Sequence, residues 1–305
     1  MANARFPALS LFLILFMLSL CAESMASDRN SNEALFTDER LHSAIHAFYA
    51  SDWHTAQDLI NELKDDHPGQ PTVYFYDSMI PFWAYFFAGS QPEDARNFLQ
   101  RSERAIDISE RHLRTARNDT STVLLLSGLH GYRSLVAASE REFRTAIRSA
   151  MTGFGYTRQL LALNSNDPNA QMGRGVFNYM MGTIPSEVRW VTSFAGLSGD
   201  REAGFAQLEE AAQADSYVSI DALMILTFLY LRDGEYAEAK RTSARLVELH
   251  SENVIFLYHH AQSLQQLGEH EQAAAYFQKV VALDHEKLKQ LTQSASKQLA
   301  LLTEG

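Results

Sequence analysis

Two glycines 34 residues apart constrain the fold more than any other feature of the chain. Gly234 stands in Asp233-Gly234-Glu235-Tyr236-Ala237-Glu238-Ala239 and Gly268 in Leu267-Gly268-Glu269-His270-Glu271-Gln272-Ala273, so the glycines and the alanines after them recur at one interval. Glycine ends a first helix in a tight turn, the acidic residue after it favours the start of a second helix, and the small alanine lets the two helices approach closely. The flanking register agrees: Tyr230 and Leu264 hold the same bulky position on the first helix, Leu246 and Val280 match on the second, and Leu249-His250 and Leu283-Asp284 close the units. A repeat of this kind hides its apolar stripe only by stacking pair against pair.

The interval is that of the tetratricopeptide (TPR) repeat, most legible over residues 220–253 and 254–287. Upstream the spacing loosens. Gly199-Asp200-Arg201-Glu202-Ala203-Gly204, followed by Leu208 and Ala211, reads as the second helix of another unit, with Gly204 where alanine is usual. Ser51-Asp52-Trp53 leading to Ala56, Ile60, Leu63 and Pro68 reads as a further one. Between them lie two longer helical pairs. One runs from Thr72 through an aromatic stretch to a helix beginning near Pro92; the other begins near Ser121, turns around Glu140 and ends at Asn166-Asp167-Pro168. No segment alternates apolar and polar residues long enough for a strand, so the expected fold is all-α, a right-handed α-solenoid of antiparallel helix pairs.

Residues 6–20 form an apolar run of about 15 residues behind Arg5, the layout of a signal peptide and short of the roughly 20 needed to span a bilayer. Ser24-Met25-Ala26 offers a cleavage site, which makes residues 1–26 the signal and 27–305 a single TPR-like domain. Cys21, the only cysteine, offers a competing lipid anchor after Leu18-Ser19-Leu20. The expected location is therefore the periplasm, or the membrane surface as a lipoprotein. No disulfide can form in the mature chain. The net charge of −11 gives the chain no electrostatic reason to approach nucleic acid or anionic lipid, and its surface is expected to prefer neutral or basic partners.

Three short segments carry a more particular likeness: Leu126-Ser127-Gly128-Leu129-His130-Gly131-Tyr132-Arg133; Gly173-Arg174-Gly175-Val176-Phe177-Asn178-Tyr179 on to Gly182-Thr183-Ile184-Pro185; and Gly199 to Gly204. In this order, over roughly residues 120 to 215, the chain resembles bacterial exported proteins related to eukaryotic tetratricopeptide repeat protein 39. The resemblance implies a helical solenoid with no catalytic residues to carry over. In packing terms, Gly128 and Gly131 are three apart on one helix face, where close approach of a neighbouring helix or of a ligand offsets the roughly 1 kcal/mol that glycine costs in a helix. The Pro185 loop lengthens one connection.

Catalytic and cofactor chemistry is sparse. Gly173-x-Gly175 follows no strand, so a dinucleotide site fails its context test. His42 and His46 share a helix face, but two ligands are not a metal site, and no cofactor or metal is expected. The aromatics Tyr74, Phe75, Tyr76, Phe82, Trp83, Tyr85, Phe86 and Phe87 fill a space between helices or line a groove. Tyr132, Arg133, Tyr179 and Arg201 form either internal pairs or a site for a carboxylate-bearing partner. The function expected is a non-enzymatic scaffold or adaptor binding a polypeptide on the concave face of the solenoid. The alternative is a periplasmic binding protein for a small or lipid-like ligand in an aromatic-lined cavity.

Overall fold

The computed structural model describes residues 38–88, 91–117, 119–163, 168–183, 198–215 and 218–303. Among them every regular element is a helix: α1 (Glu39–Tyr49), α2 (Trp53–Asp66), α3 (Pro71–Ala88), α4 (Pro92–Leu113), α5 (Thr120–Ser139), α6 (Phe143–Ala162), α7 (Pro168–Gly182), α8 (Arg201–Ala211), α9 (Val218–Asp233), α10 (Tyr236–Leu249), α11 (Val254–Gln266), α12 (His270–Leu283) and α13 (Lys289–Thr303). The all-α, TPR-like reading of the sequence holds. The signal segment, with Cys21, and Pro185 lie outside the described residues.

Four hairpins, α1/α2, α5/α6, α9/α10 and α11/α12, turn in the same way. The amide of the acidic residue that opens the second helix donates to a carbonyl five residues back: Asp52 to Ala47 at 2.9 Å, Glu142 to Ala137 at 2.7 Å, Glu235 to Tyr230 at 2.9 Å and Glu269 to Leu264 at 3.0 Å. This is the Schellman closure of a helix end, and it needs a left-handed residue just before the acid. Gly234 (φ 80°) and Gly268 (φ 77°) supply it in the last two hairpins; Ser51 (φ 66°) and Arg141 (φ 63°) supply it in the others. Five residues after each left-handed position comes an alanine, Ala56, Ala146, Ala239 and Ala273, every one buried where the helices cross.

Helices α3, α5, α9 and α11 are buried along nearly their whole length, whereas α2, α6, α10 and α12 bury one stripe and expose the other, as does α1, which exposes His42, Ser43 and His46. A docking surface on α3, α5, α9 or α11 would need an open strip that these four do not have.

The chain divides into two compact units. One is Ala105–Ala222. The other joins Asp28–Arg104 to Leu223–Gly305, so helices from the two ends of the chain build one core. In that core Trp83 of α3 meets Phe48 of α1 at 4.8 Å between ring centroids and Phe256 of α11 at 6.5 Å. Tyr49 lies 5.7 Å from His250. Asn253 caps α11 with its side-chain oxygen, at 2.9 Å from the Ile255 amide and 3.0 Å from that of Phe256, and donates through its amide nitrogen to the Tyr49 carbonyl. His285 Nε2 donates to the Ser51 carbonyl at 2.8 Å and its ring meets Trp53. The aromatic residues Tyr74 to Tyr85 of α3 are buried in this core. They fill space between helices and present no groove. The one charge among them, Asp77, is held by Lys64 of α2 at 2.6 Å and Arg101 of α4 at 2.9 Å, since a buried carboxylate needs such partners.

Candidate functional site

The motif residues gather in the unit Ala105–Ala222. Gly153 of α6 lets that helix come close to α5: a Cβ added to it would stand 3.0 Å from His130 Cβ and 3.5 Å from the Gly131 amide. Ser127 and Thr157 join their hydroxyls at 2.7 Å, and Ser134 donates to the Ala146 carbonyl at 2.9 Å, which ties the two helices along their length. Gly128 is buried on α5.

The other two segments meet each other. A Cβ on Gly204 of α8 would lie 2.5 Å from the Tyr179 amide and 2.8 Å from the Gly175 carbonyl; one on Gly175 of α7 would lie 3.0 Å from the Gly204 carbonyl. Backbone touches backbone here, and no side chain fits. Asn178 donates to Gln207 across the pair at 2.8 Å, and Tyr179 is buried edge-on to Phe205 at 5.1 Å. Gly173 closes the third contact, against Leu160 of α6. Gly173, Gly175 and Gly204 are thus sites of helix contact within the chain.

Arg201 pairs with its neighbour Glu202 and lays its guanidinium over the Phe205 ring at 4.7 Å. Tyr132 is buried, and Arg133 is half-buried one turn from His130, whose basicity its positive charge lowers. The two Arg201 contacts are internal to α8.

Sequence reasoning missed two features of this unit. The first is His130. It is more than nine-tenths buried, stacks on Tyr156 at 5.7 Å, and neither ring nitrogen has a partner among the described residues. Burial, and then the charge of Arg133, pull its pKa down to about 4. Tyr156 in turn donates to Glu110 at 3.1 Å, and burial, with the negative charge of Glu110, pushes its phenol up to about 12. Glu110 borders a shallow polar cleft of about 410 Å³ with Leu113, Arg114, Arg117 and Gln159.

The second is the outer face of α6. Phe143 and Ile147 are each 62 % exposed and Met151 72 %. They stand one turn apart, opposite the buried Ala146, Ser149 and Gly153. The signal was present: one helix carries two apolar stripes, and only one can face the core.

Among the described residues no three His, Cys, Asp or Glu side chains converge as a metal site, and no helix is long and apolar enough to cross a membrane. Residues 167–303 match the family model Iml2/Tetratricopeptide repeat protein 39. The match takes in the Gly173–Tyr179 and Gly199–Gly204 segments and both 34-residue repeats, but not the segment from Leu126 to Arg133, and this part of the chain is similar to that TPR-like family.

Proposed function

We propose that the chain is an exported, non-enzymatic adaptor of the bacterial cell envelope that docks a partner polypeptide on exposed faces of its second helices. The observation that carries this reading is the division of labour within the α5/α6, α9/α10 and α11/α12 hairpins: α5, α9 and α11 are spent on the core, and α6, α10 and α12 hold an outward face at regular register. Similarity to a TPR-type family favours protein partners over small ligands. The buried, mutually packed rings of α3 take away the lining that a lipid-like ligand would need. Export rests on the signal layout of residues 1–26.

The test is site-specific photocrosslinking in the cells that make the protein, with the photoreactive residue placed at Arg241, Gln278 or Ile147 in turn. The expected result is a discrete crosslinked polypeptide from at least one site, in the envelope fraction, on a chain shortened by its signal. No crosslink from any of the three, on a full-length precursor in the cytoplasm, would overturn the proposal.

A further inference from the structure

The four Schellman hairpins give their second helices a common register, and α6 departs from it. Five residues after the opening acid stand Gln57 in α2, Ile147 in α6, Lys240 in α10 and Ala274 in α12; four residues further on stand Asn61, Met151, Ala244 and Gln278. Only α6 places large apolar side chains at both positions. In α2 and α10 the first of these positions reaches the next helices of the core. Gln57 bonds Asp77 of α3 at 2.9 Å and also Arg101 of α4; Lys240 bonds the Glu269 carboxylate, where α12 opens, at 2.7 Å. Ile147 has no such neighbour and is 62 % exposed. α7 covers the C-terminal half of α6, through Gly173 on Leu160 and Phe177 on Phe154, and leaves its first two turns open.

Charge and backbone on this face point the same way. From Arg111 to Arg158 the chain has eight arginines and three carboxylates, inside a protein of net charge −11. Arg144, Arg148 and Arg158 are exposed on α6 and make no ion pair among the described residues. Gly155 lies on the same outward side with nothing within 4 Å of where its Cβ would be. Gly153, Gly173, Gly175, Gly182 and Gly204 of this unit are explained by contacts; Gly155 leaves room for something outside the chain. Phe, Met and Arg on a face without Lys is the composition of a protein interface core.

We infer that the outer face of α6 binds an acidic amphipathic helix of a partner polypeptide, in the place that the following helix pair takes beside α2 and α10. Leucine-like side chains of that helix pack between Phe143, Ile147 and Met151 along the i, i+4 ridge, and its flanking Asp and Glu meet Arg144, Arg148 and Arg158. A second copy of this face is a poor occupant, because a two-fold contact would set the arginines against each other. The carboxylates that answer α2 and α10 inside the chain, Asp77 and Glu269, show the charge that a partner here would carry.

The inference rests on the protein-docking reading and can fail without it. The probe is a synthetic 20-residue helical peptide with Leu at i, i+3, i+4 and i+7 spacing and Glu beside it, and its control replaces each Glu by Lys. Fluorescence anisotropy with the whole mature protein should show the Glu peptide bound at least about 10-fold more tightly than the Lys peptide. Ile147→Asp should lower that affinity at least about 10-fold, as should Gly155→Leu, a side chain for which the free protein has open space. The double variant Arg144→Glu/Arg148→Glu should invert the preference toward the Lys peptide, an outcome that misfolding cannot produce. Equal binding of the two peptides, or a preference unmoved by the double variant, overturns the inference. So does a dimer in solution that Ile147→Asp dissolves, or binding to phosphatidylglycerol vesicles in place of the peptide. If crosslinks arise from Arg241 or Gln278 but not from Ile147, the adaptor reading stands and this face is not its surface.

Discussion

At the scale of single residues, the least expected groups are three buried histidines. His130, His250 and His260 are each more than nine-tenths buried, and burial holds each pKa near 4. Neighbouring charge adds to this, from Arg133, His46 and Lys240 respectively. In the unfolded chain they titrate near 6.5, so the unfolded state binds more protons between about pH 6.5 and 4. Their neutral forms favour the fold fully above 6.5, and that contribution is lost as pH falls through this window. Each histidine adds up to about 1.4 kcal/mol per pH unit to the slope. Urea unfolding followed at pH 7, 6 and 5 should therefore show a steep loss of stability. His130→Phe, which keeps a ring against Tyr156 and removes two unsatisfied nitrogens, should leave stability at pH 7 unchanged or higher and flatten the slope by about a third. A slope that the substitution leaves untouched would show that His130 is not held neutral.

At the scale of elements, the turn is the unit of design, and it explains what the sequence does and does not reveal. The period shows plainly where glycine holds the left-handed position, at Gly234 and Gly268. The same turn recurs at Ser51 and Arg141, where nothing in the residue type announces it, and the α5/α6 pair therefore reads as only partly repeat-like. Its conserved geometry shows instead in Glu142 and Ala146, which match Glu235 and Ala239. A side chain in the left-handed region costs about 1–2 kcal/mol, part of which glycine returns through its greater freedom in the unfolded chain. Arg141→Gly and Ser51→Gly should thus each raise stability by about 0.5–1 kcal/mol, read as a higher urea midpoint at unchanged slope. A lower midpoint in both would mean that the arginine and serine side chains contribute more than their backbone strain removes. The candidate site was legible to a similar degree. Gly175 and Gly204 stand out because backbone contact admits no other residue, whereas the outer stripe of α6 emerges only once the core claims the opposite side of that helix.

At the scale of the molecule, a linear reading of repeats predicts contacts between neighbours alone, and here helices from both ends of the chain share one core. Nothing in a 34-residue period encodes that meeting, because the residues that make it are single ones placed outside the repeat grammar. Asn253 bridges to the Tyr49 carbonyl, His285 to that of Ser51, and Trp83 sits between Phe48 and Phe256. In a stacked array, removal of the first pair exposes one interface and leaves distant pairs folded. In this protein, removal of α1 and α2 would strip Phe48 and Tyr49 from Trp83 and His250 and would leave the cap of α11 without its second partner. A chain beginning at Pro71 should consequently lose protection in α11 and α12, more than 180 residues along the sequence. Hydrogen exchange would show this as faster exchange of Val254–Gln266 and His270–Leu283, and the Trp83 emission should move to longer wavelength. Unchanged exchange in α11 and α12 would mean that the C-terminal repeats stand on their own stacking, and that the aromatic junction is a contact without energetic weight.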